Sequence, residues 1–574
     1  MDRRSFAREG FRYYARTNLA VIAGVAIAVA VLTGALMTGD SVRLSLRDLA
    51  LQRLGNTSQV LTSAQFFRDA LGGDMSGTPL IALDGVVSKQ EGGARAGGVH
   101  VYGVDERFWK FHGKPDRAIA DREMLVSPGL AEELSAKVDD NLLLRLEKPS
   151  AIPRESLHGR KEDAGKTIRF KLGAVLARAE MGEFSLKPGQ GAVKAVFVKL
   201  RRLQKDLEQN GRVNTILFAE ASRADLAKVR LEDLGIKLAP IAGETAIETE
   251  SAVISDGLAA SVQKAAGAPP QTFFTYLVNS IRAPRGEIPY SVVTAVTPPF
   301  VDIQPGEIVL NDWAAKNASA KVGDEITLEY YLWDPAGSLL TRTTTLRLAR
   351  IIPTKDDRTL APQYPGITES STLADWDPPF PMDLKRVRPI DEAYWKQYRT
   401  TPKAFLHIDD GRKLWGSRFG HATSLRVPGS STDFAVRLRT AVDPQSQGMA
   451  LVDARALALE ASKGSTDFGE YFLYFSFFLV VSALLLTVVF FQLGIEQRLR
   501  EVGLLRALGF NQGSVRHHFF REGLPLAGIG SVLGVVLGIA YSAFILYGLK
   551  TWWRGAVGTS ELTLHIKPQS VNGG

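Results

Sequence analysis

Three long stretches without a charge constrain this 574-residue chain most: 18–37, 471–493 and 523–549 contain no Lys, Arg, Asp or Glu. A helix needs about 20 predominantly apolar residues to cross a bilayer, and in lipid every backbone polar group must be satisfied within the segment. Charge-free core helices of soluble domains are shorter, about 14 residues at most. All three stretches therefore read as transmembrane helices. The first competes with a secretory signal peptide, because Arg3, Arg4, Arg8, Arg12 and Arg16 give it a basic start. Its apolar run exceeds a signal core and closes on Ala35-Leu36-Met37 rather than on a small-residue cleavage site, so an uncleaved anchor is expected.

Those arginines precede the first span, and Arg498, Arg500, Arg506, Arg516 and Arg521 lie in the short loop between the second and third. Lys and Arg accumulate on the cytoplasmic side, so both segments should face the cytoplasm and 38–470 should lie outside. Tyr471, Phe472, Tyr474, Phe475, Phe477 and Phe478 mark the outer interface of the second span, as Trp552 and Trp553 do after the third. The expected fold class is a membrane protein with α-helical spans and a large α+β extracytoplasmic domain between spans one and two. The expected order is a cytoplasmic N-terminus (1–17), span one (18–37), two outer halves (38–250 and 251–470), span two (471–493), a cytoplasmic segment (494–522), span three (523–549) and an outer segment (550–574).

A chain of this length needs at least two folded units besides its membrane part. Val42, Leu46 and Leu49 recur at helical spacing beyond span one and predict a stalk reaching about Leu54. Met449, Val452, Ala456 and Leu459 predict a second stalk before span two, broken at Lys463-Gly464-Ser465. Between them Val99–Val104, Asn141–Leu146 and Glu325–Tyr331 read as strands, and Leu200–Gln209 and Ser222–Leu234 as helices. Ser135-Ala136-Lys137-Val138-Asp139-Asp140 returns as Ser319-Ala320-Lys321-Val322-Gly323-Asp324, each between a short helix and a strand. This echo predicts a duplicated unit, with its boundary between Pro240 and Gly267.

Several chemistries find no support. The net charge of +8 is spread along the chain rather than clustered with aromatics, so no nucleic-acid partner is expected. No cysteine is present, which excludes disulfides and thiolate chemistry. The segment 159–167 resembles a phosphate-binding loop but has one residue too many between its glycines. Asp467-Phe468-Gly469 lacks every companion of a kinase motif, and neither a metalloprotease histidine pair nor a nucleophile elbow occurs. Spans without ionisable groups do not suit ion-coupled carriers. Neither catalysis nor a bound cofactor is expected, and energy for transport would come from a partner.

The segment Glu496 to Phe510 continues span two into the cytoplasm, with Val502, Leu505 and Leu508 on one stripe and arginines elsewhere. Physics alone reads an amphipathic helix at a membrane surface or in a partner's groove. Gly509 is a candidate C-terminal stop, and Ser514 a candidate cap for the helix that follows. The residues E-Q-R-L-R-E-V-G-L-L-R-A-L-G-F resemble the signature of the MacB/FtsX/LolCE family of ABC permeases. Val101-Tyr102-Gly103-Val104-Asp105 with Phe108 is similar to a stretch early in that family's outer domain, and the two Lys-Val-x-Asp turns to its turns.

The resemblance implies an inner-membrane permease of a bacterium. It implies coupling to a cytoplasmic ABC ATPase subunit through Glu496, Arg498, Arg500, Glu501, Gly503, Leu505, Arg506 and Gly509, ATP being used by that subunit. It also implies a homo- or heterodimer of permease subunits in the lipid bilayer, working on a lipoprotein, peptide, lipid or amphiphile, or regulating a cell-wall hydrolase. A membrane-tethered scaffold is the reading from another class. The family has at least four spans, so a chain cut short before its fourth is expected. The outer domain is nearly twice the family's usual size.

Small residues recur every four positions at Gly530, Gly534, Gly538 and Ser542 in span three, and at Ala26, Ala30, Gly34 and Thr38 in span one. In lipid no hydrophobic force draws helices together, so close backbone approach over small residues supplies much of the contact. The two stripes are the expected packing faces.

Overall fold

The computed structural model describes residues 13–153, 155–159, 165–220, 224–241, 243–334, 337–463, 468–553 and 562–566. Arg3, Arg4, Arg8, Arg12 and most of the glycine-bounded loop at 159–167 lie outside the described residues, as do the side chains of Tyr471, Phe472 and Phe475.

Three helices are long and apolar enough to cross a membrane: α1 (Ala15–Leu54), α2 (Phe468–Glu496) and, after the short α3 (Leu499–Ala507), α4 (Gln512–Thr551). At 1.5 Å per residue α1 is about 60 Å long, twice the hydrocarbon thickness, so it exceeds what one bilayer crossing needs by about half its length. Val21 and Val25 of α1 pack on Leu526 of α4 in the lower half; Val42 and Leu46 meet Leu546 and Leu562 in the upper half. The outward faces of α2 and α4 stay apolar and exposed, as at Phe478, Leu485 and Val532. Lipid-facing helices carry such a surface.

Between α1 and α2 lies a large α/β domain with two nine-stranded sheets. The first contains β1 (Gln59–Arg68), β2 (Thr78–Lys89), β3 (Arg95–Val104), β4 (Glu123–Val126), β5 (Asn141–Glu147), β6 (Gly165–Val175), β7 (Ala195–Lys199) and β8 (Arg212–Phe218). The second contains β9 (Ile236–Ile241), β10 (Glu244–Thr249), β11 (Gln271–Ala283), β12 (Gly286–Val296), β13 (Glu307–Asn311), β14 (Glu325–Trp333), β15 (Leu339–Ile352), β16 (Ala404–His407) and β17 (Ser424–Pro428). The ninth strand of the first sheet is β18 (Met449–Asp453), which returns to pair with β1.

The two sheets have one topology. In the first, β2-β3-β7-β4-β6-β5 closes on itself through β2–β5, with β3–β7 and β4–β6 parallel and the rest antiparallel. In the second, β11-β12-β16-β13-β15-β14 closes through β11–β14, with β12–β16 and β13–β15 parallel. Each six-stranded ring then extends through three antiparallel strands, β8-β1-β18 in one and β17-β10-β9 in the other.

The echoed hexapeptides occupy equivalent corners of the two rings. Ser135 and Ser319 both have positive φ, 47° and 52°, at the end of a short helix. The Lys137 and Lys321 amides each donate to an Asp carboxylate three residues on, at 2.8 Å in both cases. The expected division at 250 does not coincide with the sheets, because the β9–β10 hairpin pairs with β17 of the second unit and β18 goes back to the first. A short echo fixes one point per unit and leaves the ends of the unit open.

Two expected helices are corrected. Met449 and Val452 sit in β18, so the second stalk shrinks to Ala454–Ser462, which Asp453 caps through the Ala456 amide. Apolar residues three apart fit a helix, but an unpaired edge at β1 recruits these five residues as a strand. Within 222–234 the described residues make only short turns at Leu226–Lys228 and Leu231–Leu234, pinned by the Asp225 and Asp233 carboxylates, which draw backbone amides away from a helical ladder.

The β5–β6 connection of the first ring reaches into the second. Its Leu157 joins the second ring's core, and His158 stacks on Tyr364 with ring centres 5.2 Å apart. His158 Nε2 lies 3.3 Å from the Thr275 carbonyl, which can only accept, so Nε2 holds the proton and Nδ1 accepts from the Ser156 hydroxyl at 3.1 Å. Burial pushes this imidazole down to about 4. The unfolded chain binds the proton near 6.5, so the stabilisation is complete above that pH and is lost as pH falls towards about 4, on the order of 3 kcal/mol in all. Thermal unfolding of the detergent-solubilised protein should therefore show a steep loss between those values, and His158→Gln should make it shallower, the buried His112 imidazole supplying the slope that remains. An unchanged pH slope in the variant would count against this burial.

Candidate coupling and transmission site

At the arginine-rich end of the bundle the elbow between α2 and α3 is held by Arg498. Its guanidinium is buried, lies 4.1 Å over the Tyr14 ring and pairs with Glu522 of α4. Cation–π contact with a shared carboxylate ties α1, the elbow and α4 together. The Thr17 hydroxyl adds a 2.7 Å hydrogen bond to the Gln497 side chain. Glu496, Arg500, Gly503, Arg506 and Gly509 are exposed, whereas Glu501 and Leu505 are half-buried. Gly509 has φ +92°, a left-handed conformation that ends α3 and that a side chain would strain.

The expected apolar stripe is only partly turned inward, since Val502 and Leu505 are half-buried and Leu508 is 69% exposed. Leu504 is 63% exposed beside it, which leaves α3 an uncovered apolar edge. One oxygen of Glu501, Oε2, is shielded and has no hydrogen-bond partner among the described residues. The cap of α4 is Asn511 rather than Ser514; its side-chain oxygen accepts from the Ser514 amide at 2.7 Å.

The structure brings the two small-residue stripes together within one chain. A methyl group built on Gly530 would lie 3.0 Å from the Ile22 carbonyl, on Gly534 2.8 Å from that of Ala26, and on Gly538 3.1 Å from that of Ala30. From the other side, Gly34 faces Tyr541 and the Gly538 carbonyl. Thr38 Oγ1 then meets Ser542 Oγ at 3.1 Å. Higher up, the extended residues 562–566 lie along the stalk. The amides of Thr563 and His565 donate to the hydroxyls of Ser45 and Ser41, at 2.9 and 3.0 Å.

The stalk ends in a buried joint. Arg53 donates to Glu183 Oε2 at 3.2 Å and to the carbonyls of Gly189 and Gly191 at 2.6 and 2.7 Å. Arg178 takes the other Glu183 oxygen at 2.8 Å. Burial raises the Glu183 carboxyl, but Arg178 and Arg53 outweigh it and hold the group below the usual carboxylate range. Two residues on, Gly55 stops α1 at φ +56°, and a methyl there would collide with His112 Nδ1. His112 accepts from the Asn56 amide at 3.2 Å, and burial pushes its imidazole down to about 3. The first unit thus grips the stalk by charge, hydrogen bonds and close packing.

Sequence reasoning missed Tyr14, Glu522, Arg53, Glu183 and His112. Only Arg53 carried a signal, as a cation in register with Leu46 and Leu49 on the buried face of α1. Val104 ends β3, and Asp105 caps the following helix, whose Phe108 is buried against His112 and Phe184. The tyrosine-glycine-valine-aspartate stretch noted in the sequence therefore serves the joint. Among the described residues no group of His, Asp and Glu side chains could hold a metal ion.

Residues 473–566 match the family model described as FtsX-like permease C-terminal. No curated protein matches the chain. Among solved structures, the crystal structure of the periplasmic region of MacB from Actinobacillus actinomycetemcomitans is matched at 10% identity and TM-score 0.19, over 30% of this chain and 79% of that one.

Proposed function

We propose that this chain is the transmembrane subunit of an ABC-type exporter or mechanotransmission complex in a bacterial inner membrane. The match of 473–566 to the FtsX-like permease C-terminal model carries the reading. An ABC permease-like role implies a separate ATPase, and in this reading α3 would receive it. Its uncovered Leu504 and Leu508 offer an apolar contact, Arg500 is exposed on the same helix, and a donor from the ATPase would satisfy the unpaired Glu501 oxygen. A shielded carboxylate oxygen without a donor is costly in the isolated chain, so docking there is favoured. ATP-driven closure of the ATPase would move α3, and Arg498 would pass that motion to α1 and α4 together. The uninterrupted α1 would deliver it through Arg53 to the outer domain, which acts on a lipoprotein, peptide, lipid or amphiphile. Two permease subunits, identical or different, would form the working unit.

Glu501→Lys tests the reading. Reversing one partner of a desolvated charge contact costs about 2–5 kcal/mol, so co-purification of a co-expressed ABC ATPase subunit should drop by more than tenfold while membrane insertion persists. Equal recovery of the ATPase with the variant would remove α3 from the coupling surface.

A further inference from the structure

Where α1, α2, α3 and α4 converge at the arginine-rich end they enclose a cleft of about 610 Å3. Its buried lining is apolar at Val21, Val515 and Leu526 and polar at Asn18 and Arg498, whereas its exposed lining includes Arg506 of α3 and Arg516 of α4. A third arginine, Arg498, is already paired with Glu522. Arg506 and Arg516 make no ion pair among the described residues. Three arginines against one glutamate leave the cleft with two uncompensated positive charges. An apolar interior with a cationic rim complements a molecule that is anionic at one end and hydrocarbon at the other.

We propose that the cleft binds one anionic phospholipid, its phosphate between Arg506 and Arg516 and its acyl chains against the apolar lining. Basic pockets between membrane helices at the cytoplasmic surface are sites where acidic headgroups collect. A soluble phosphate compound would leave the apolar lining in water, and a neutral lipid would leave both guanidiniums without a counter-charge. The inference needs this end of the bundle to lie at a membrane surface, and does not need an ATPase to dock there. A lipid so placed would wedge α3 against α4, so the bilayer's anionic content would bias the elbow.

The test uses the purified full chain in detergent, titrated with short-chain phosphatidylglycerol or phosphatidylcholine and read by native mass spectrometry. Phosphatidylglycerol should bind preferentially. Arg506→Gln with Arg516→Gln should weaken it about 30-fold, each surface arginine contributing about a factor of five. Arg521→Gln, outside the cleft, should leave it unchanged. Equal binding of the two lipids, or unchanged phosphatidylglycerol affinity in the double variant, would overturn the proposal. So would competition by glycerol phosphate as strong as by the lipid, which would make this a site for free phosphate. A cysteine at Val502 that cross-links to a co-expressed ATPase subunit, with lipid binding indifferent to the double substitution, would assign the cleft to a protein instead.

Discussion

Gly534→Leu should force α1 and α4 apart and leave little assembled protein. The first added atom would fall 2.6 Å from Val29 Cβ and 2.8 Å from the Ala26 carbonyl. The carbonyl belongs to the helix backbone and cannot swing aside as a side chain would. Overpacking typically costs about 1–3 kcal/mol, and a backbone obstacle puts this case at the upper end or beyond. Helix association in lipid has no hydrophobic reserve to offset it. Val536→Leu, two residues along at a position 61% exposed, should be tolerated. Detergent-solubilised yield and melting temperature compare the two. Matching behaviour would mean that the glycine face is compositional only.

Arg53→Ala should release the α/β domain from α1. Arg53 and Glu183 are 5% and 8% exposed, so the glutamate would be left charged, buried and supported by Arg178 alone. Removing one partner of a buried pair costs about 3–5 kcal/mol. Replacing both, as Arg53→Met with Glu183→Leu, should recover part of that and no more, because the buried carboxylate is gone while Arg178 and the Gly189 and Gly191 carbonyls lose their partners. The melting temperature of the full chain should drop in the single variant and return partway in the double. A single variant as stable as the parent would show that packing around Gly55 and His112 holds the joint unaided.

What could be read from the sequence follows from where each constraint operates. Lipid forbids charges along a whole segment, so the apolar helices stand out residue by residue. The glycine stripes were legible for the same reason, being a local period on a single helix. The echoed turn was visible because Ser319 and Asp324 repeat the backbone demands met at Ser135 and Asp140. By contrast, Arg53 and Glu183 are separated by 130 residues, and Arg498 meets a carboxylate on a different helix. Neither Glu183 nor Glu522 shows a local period. The strand at Met449 depends on a free edge that only β1 supplies, and closure of each ring depends on pairs such as β2–β5 that no local pattern encodes.

The connectivity of the two sheets also fixes how load can enter the α/β domain. The chain leaves the first unit after β8, builds the whole second unit, and comes back to lay β18 beside β1. Both tethers to the membrane helices therefore leave from one antiparallel pair, and from the same end of it, where Gln59 faces Asp453. Displacements that the two tethers share carry the domain as a rigid body and leave those hydrogen bonds unstressed. A lateral spread between them peels the pair open one rung at a time, whereas an axial offset loads all its rungs in shear. Among the described residues no strand of the second unit pairs with β1 or β18, so a displacement that the two tethers share would carry the second unit along with the first, whereas a difference between them falls on the β1–β18 pair.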